Sequence, residues 1–192
     1  MITPNQLEAV SLAMSTEETR YYLCGVCVET YKNGQVGIIA TDGHRMHSFN
    51  AIKDEQPVSS FILSANDVEK LIKMAKMEAK QIAKLLRDKV TINLQADKAS
   101  IMCDETQLFN CDIKPIDGNF PDWRRILPSG KVQANAISFN GAYLADFGKA
   151  AKLLGSSCQQ FTITNTGAQN PALITLPYDA GFLGVLMPMR GF

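Results

Sequence analysis

The chain has no surplus of either charge: 19 Lys and Arg stand against 19 Asp and Glu in 192 residues. A whole-molecule field that selects partners is therefore excluded, and any charged face must come from local segregation. No apolar run approaches the roughly 20 residues that a membrane-spanning helix needs. Met1-Ile2-Thr3-Pro4-Asn5 shows no basic leader followed by an apolar core, so a cytoplasmic protein is expected. Cysteine is sparse. Cys24, Cys27, Cys103, Cys111 and Cys158 are odd in number and irregular in spacing, a poor disulfide framework that suits a reducing compartment.

The usual catalytic signatures are missing as well. There is no G-x-x-x-x-G-K-[ST], no G-x-G-x-x-G and no G-x-S-x-G. Cys24-Gly25-Val26-Cys27 is formally a C-x-x-C, but residues three apart on an extended strand point to opposite faces. No second such pair completes a zinc site. His44-Arg45-Met46-His47 meets the same geometric objection, and no nucleophile motif follows Asp42 and His44. A non-enzymatic protein without cofactor or metal is expected.

What is present is a globular composition, 46% hydrophobic and 20% charged, laid out three times on one plan. A short extended segment leads into a helix, and strands follow. The first stretch starts at Pro4-Asn5-Gln6 with Leu7, Val10, Ala13 and Met14 at helical spacing. Extended segments then run from Tyr21 to Thr30 and from Val36 to Phe49, parted by the turn signal Lys32-Asn33-Gly34. The second leads with Phe61-Ile62-Leu63, a cap at Ser64 or Asn66 and a helix to about Arg87. Strands are expected at Val90–Leu94, Ala99–Cys103 and Thr106–Ile113, then a structured loop at Asp117–Asp122. The third leads with Ala136–Phe139 and a helix from about Gly141 to Leu154, stopped by Gly155. Strands at Gln160–Thr164, Ala172–Leu176 and Phe182–Met187 close it.

On the second helix, at about 100° per residue, Val68, Leu71, Ile72, Ala75, Ala79, Ile82 and Leu86 share one arc. Lys70, Lys73, Lys76, Lys80, Lys84 and Arg87 share another, with only Glu69 among them. A solvated face is the commoner reading of such a row. Here i,i+4 Glu–Lys pairing is sparse, and a row of cations suits DNA phosphate, contacted without regard to sequence. The third helix adds Lys149 and Lys152.

Three motifs carry a family resemblance. Arg20-Tyr21-Tyr22-Leu23-Cys24-Gly25-Val26 is followed by Ala40-Thr41-Asp42-Gly43-His44-Arg45-Met46. Next comes Asp117-Gly118-Asn119-Phe120-Pro121-Asp122-Trp123-Arg124-Arg125-Ile126-Leu127-Pro128, and near the end Val185-Leu186-Met187-Pro188-Met189-Arg190. In this order they resemble segments of the bacterial DNA polymerase III beta subunit, the DNA sliding clamp. Residues 1–128 resemble the whole middle domain of that family, and 129–192 the second half of its last domain.

The resemblance implies an α+β DNA clamp architecture of three βαβββ-like half-units, at 1–56, 57–128 and 129–192. It implies a processivity factor of DNA replication that tethers a polymerase or clamp-loader protein to duplex DNA, in a bacterial, phage or plasmid setting. Partners would dock a short apolar peptide in a pocket walled by Leu23, Thr41, Gly43, His44, Arg45 and Met46. Pro121, Arg125 and Ile126 would form a second wall, and Asn140, Tyr143, Val185, Met187, Pro188, Met189 and Arg190 would complete it. Taken alone, Met187 and Met189 read more simply as core residues at a strand end. With the motifs in family order they join the pocket, where methionine adapts to varied side chains.

Tyr21 and Tyr22 match family positions near the DNA path, or else serve as strand core. Family rings close with twelve half-units, so three per chain imply a homotetramer. The joint is expected to run head-to-tail, from the third half-unit of one chain to the first of the next. The rival expectation is a decoy or adaptor that binds clamp-seeking peptides without encircling DNA.

Overall fold

The computed structural model describes residues 1–82, 84–128 and 137–189. Three helices are each followed by three antiparallel strands. Thr3 opens α1 (Pro4–Ser11). Its hydroxyl accepts the Gln6 N–H while the Gln6 side chain accepts the Thr3 N–H, and Pro4 fills the first helical position. β1 (Gly25–Thr30), β2 (Val36–Thr41) and β3 (Arg45–Phe49) follow. A lead strand β4 (Ser59–Ser64) runs into α2 (Ala65–Gln81), capped by the Ser64 hydroxyl on the Asp67 N–H, and then β5 (Val90–Leu94), β6 (Lys98–Cys103) and β7 (Thr106–Asp112). Asn140 caps α3 (Gly141–Leu153), which precedes β8 (Thr162–Thr164), β9 (Ala172–Leu176) and β10 (Asp179–Leu186).

The strands form two sheets, one ordered β4-β1-β2-β3-β10-β9-β8 and one ordered β5-β6-β7. Two rules of assembly can be read from the pairing. The first two groups exchange their lead residues. β4, which leads the second group, pairs along β1 of the first, and Ile2, which leads the first, bridges Ile92 of β5. The first and third groups join differently, through their third strands, with Arg45–Phe49 of β3 antiparallel to Phe182–Leu186 of β10. One core runs behind all three helices, with Leu7 and Val10, Val68 and Leu71, and Phe147 and Ala151 fully or almost fully buried. Burying each large aliphatic side chain is worth about 1.5–3 kcal/mol. No helix among the described residues is long and apolar enough to cross a membrane.

Several expectations are corrected. Glu18–Leu23 is a 3-10 turn, so Tyr21 and Tyr22 precede the strand instead of beginning it; the strand starts only at Gly25. α2 stops at Gln81, where Ile82 turns extended, and Lys84–Lys89 forms a separate 3-10 turn. The apolar arc would permit a longer helix, but β5 is pinned to Ile2 and the chain must reverse before Val90. Tertiary pairing overrides the local pattern there. Lys84 and Arg87 therefore leave the lysine row's helix, and their side chains lie outside the described residues. Val36–Phe49 is two strands, and the described part of the expected lead strand Ala136–Phe139 is unpaired in any sheet. The expected joint from the third half-unit to the first of another chain meets an occupied edge, because β3 already carries β10 of its own chain.

A convergent apolar pocket with an ion-paired rim

The tight turn between β2 and β3 is built by its own side chains. The Asp42 carboxylate accepts the backbone N–H groups of His44 (2.9 Å) and Arg45 (3.0 Å), and Thr41 Oγ1 accepts the Gly43 N–H and donates to the Arg45 carbonyl. Gly43 sits at φ +89°, so the backbone calls for glycine, while a Cβ there would meet only the movable tip of the Arg20 side chain. β10 extends past β3, its Met187 N–H donating to the His44 carbonyl at 2.9 Å. The 3-10 turn Trp123–Ile126, capped by Asp122, closes the third side.

Between these three segments lies a cavity of about 280 Å³. Leu23, Thr41, Gly43, His44, Arg45, Pro121, Ile126, Val185 and Met187 line it, as the sequence motifs predict, joined by Arg20, Tyr22, Asp122 and Trp123. Ile126 and Met187 are each 38% exposed, so the apolar floor is open to a ligand and not sealed in the core. Other predicted residues stand elsewhere. Met46 is fully buried beneath the site, and Arg125 points to solvent beside Asp122. Asn140 caps α3. Tyr143 backs the rim, stacked on His44 with ring centroids 6.2 Å apart and lying 4.6 Å from the Arg45 guanidinium. Pro188 and the exposed Met189 continue past the pocket without lining it, and Arg190 lies outside the described residues.

Arg45 is fixed from two sides, by Asp42 at 3.1 Å and by Asp146 of α3, which Lys149 also meets at 2.7 Å. Burial pushes the Asp146 carboxyl up, but the Arg45 and Lys149 hydrogen bonds outweigh it and hold the group below the usual carboxylate range. The rim is thus a locked arrangement of charge around an apolar floor, suited to orienting a peptide backbone.

Behind the floor stands a network that the motifs did not reveal. Glu29, 5% exposed, accepts Arg124 Nη1 and Nη2 at 3.0 and 2.9 Å, Trp123 Nε1 at 3.2 Å and the Tyr31 hydroxyl. Arg124 Nη2 also donates to the Ile52 and Glu55 carbonyls. Arg124, not its predicted neighbour Arg125, therefore anchors the loop that carries Pro121 and Trp123. The signal in the sequence was Glu29, a lone carboxylate directly after the apolar run Val26-Cys27-Val28.

On α2, Lys70, Lys73 and Lys80 are exposed, as are Lys149 and Lys152 on α3. Lys76 is half-buried and paired with Glu8 of α1. Part of the expected basic row is spent on holding α1 to α2.

Solved structures set the class. The fold matches a DNA polymerase sliding clamp from Pseudomonas aeruginosa with a TM-score of 0.70 at 20% identity, over 98% of this chain and 63% of that one. A sliding clamp from Bartonella birtlesii, bound to griselimycin, matches at TM-score 0.66 and 23% identity, over 98% of this chain and 63% of that one. The molecule has the α+β DNA clamp fold. A model of the DNA polymerase III beta subunit central domain matches residues 3–122, and the chain belongs to that family. It is 33% identical over 123 residues to the beta sliding clamp of Chlamydia pneumoniae, covering 63% of this chain and 30% of the relative. It is 30% identical over 134 residues to that of Rickettsia felis, covering 69% and 33%. The chain spans about a third of the length of these relatives.

Proposed function

We propose that this chain is the subunit of a shortened DNA sliding clamp, a non-enzymatic ring that tethers DNA-metabolising proteins to duplex DNA through its pocket. The observation that carries the reading is the convergence of four distant segments on one open apolar cavity. Leu23, Thr41–Arg45, Pro121–Ile126 and Val185–Met187 meet there, with donors and acceptors held at the rim. The occupant is a short, mostly apolar peptide from a polymerase or clamp loader. Residues 1–56, 57–128 and 129–192 act as three half-units, so four chains supply the twelve that a family-like ring needs. The outward Lys70 and Lys73 of α2 and Lys152 of α3 supply mobile, sequence-blind phosphate contacts.

The pocket is tested by calorimetry with a clamp-binding peptide. Met187→Glu places a charge on the apolar floor at an exposed position, so the chain should fold and bind at least about tenfold more weakly, a loss of roughly 1.4 kcal/mol. Deleting residues 187–192 should abolish binding. Unchanged affinity in both variants would remove the pocket from the account.

A further inference from the structure

The first two groups complete each other by a reciprocal exchange: each lends its lead residues to the first strand of the other. Val26 of β1 pairs with Leu63 of β4, and Ile2 exchanges both backbone hydrogen bonds with Ile92 of β5, at 3.0 and 2.7 Å. In the third group both halves of this exchange are open among the described residues. Its lead segment, residues 137–139, joins no strand, and β8 is the outermost strand of its sheet. The segment is nevertheless poised. Ser138 accepts the Met189 N–H at 2.8 Å, just as Ile62, also two residues before its helix cap, accepts the Ile116 N–H at 2.9 Å. One side of each lead segment is held by the chain that follows its own third strand. The other side of β4 holds β1, whereas the other side of 137–139 holds no strand among the described residues.

The opposite end of the molecule has an open edge of the other kind. β7 is the third strand of its group and the outermost strand of its sheet. Third strands join third strands in this fold, as β3 joins β10. Both open edges expose a large apolar side chain, Ile163 on β8 at 39% and Phe109 on β7 at 37%. β7, seven residues long, is an unpaired edge of the kind that invites pairing with another chain, while β8 offers three residues.

A head-to-tail joint would have to match β7 with β8, a pairing of third strand to first strand that occurs nowhere among the described strands. Each open edge instead complements a second copy of itself. We infer that this chain assembles through two different two-fold joints. In one, residues 137–139 of each copy lie along β8 of the other; in the second, β7 lies antiparallel to β7. The inference rests on the ring reading above and replaces its head-to-tail geometry.

Isologous joints are self-complementary. Two alternating ones close a ring only with an even number of chains and with the two-fold axes lying in the plane of the ring. Four chains of three groups then give dihedral symmetry. An in-plane two-fold axis exchanges the faces of a ring, so the pockets of neighbouring chains open on opposite faces, two on each. Partners could then be recruited from either side of the ring.

Light scattering separates the possibilities. The wild-type chain should have a mass near four chains. Ile163→Asp and Phe109→Asp should each reduce it to two chains, because one joint survives, and the double variant should give one. A head-to-tail tetramer would fall to single chains with either substitution, which overturns the two-fold joints and leaves the ring. A wild-type monomer, dimer or trimer overturns both.

Cross-linking reads the same geometry without damaging an edge. Thr162→Cys in a background that also carries Cys24→Ser, Cys111→Ser and Cys158→Ser, treated with a short bis-maleimide, should give covalent dimers and stop there. If dimers form only when Thr162→Cys and Asn110→Cys chains are mixed, the joint is head-to-tail and the inference fails.

Discussion

Arg124→Ala is expected to destabilise the protein by about 3–5 kcal/mol, since it removes one partner of a buried ion pair and strands the other. The Glu29 and Arg124 side chains are 7% and 11% exposed. After truncation, the Glu29 carboxylate keeps only the Trp123 and Tyr31 donors for a charge that is 7% exposed. The Ile52 and Glu55 carbonyls lose their donor in the same step. For a chain of this size the melting temperature should fall by roughly 10 °C or more. Adding Glu29→Gln should recover part of the loss, because a neutral amide leaves no buried charge. Arg125→Ala should cost little, since that side chain is 84% exposed. Chemical unfolding of the four proteins checks the ordering, and equal effects at 124 and 125 would contradict the network.

Acidification should loosen the join between the first and third groups. His47 of β3 is fully buried, its ring 4.4 Å from Phe147 of α3 and 5.5 Å from Phe182 of β10. Nδ1 lies 2.8 Å from the Ala9 carbonyl, which places the proton on Nδ1, and Nε2 has no partner among the described residues. Burial pushes the imidazole down from 6.5 to about 4, against the pull of the Ala9 carbonyl. A histidine held neutral in the fold contributes its stability above the unfolded value of 6.5. That contribution is lost as pH falls through the folded value near 4. Across this window the loss is roughly 3 kcal/mol. Urea unfolding at pH 6.5 and pH 4 should show it in the wild-type chain. In His47→Phe, which keeps an aromatic ring but cannot titrate, most of the difference should vanish. Equal pH dependence in both would place the acid sensitivity elsewhere.

Much of this fold is legible in the sequence because its devices are local. Caps at Thr3, Ser64 and Asn140, apolar periodicity on α2 and α3, and Gly43 in the turn each act within a few residues. The pocket was legible for another reason: its lining comes from short motifs, and Leu23, Thr41, Pro121 and Val185 stand where those motifs place them.

What was not legible depends on distant partners. The early end of α2 is set by β5 and its bridge to Ile2. Arg124 and Arg125 are indistinguishable as letters, and only the direction of the 3-10 turn sends one to Glu29 and the other to solvent. Lys76 reads as part of a DNA-facing row until α1 brings Glu8 beside it. The docking of the third group on the first, which decides where the open edges lie, is written in no single segment.

Topological enclosure is the central claim, and retention on DNA tests it most directly. The protein is assembled on nicked circular duplex and passed through gel filtration at high salt, which dissolves phosphate contacts but cannot open a closed ring. Protein should remain with the circle and be lost after a single restriction cut, because a ring slides off free ends. If it partitions equally on circular and cut DNA, the chain does not encircle its substrate.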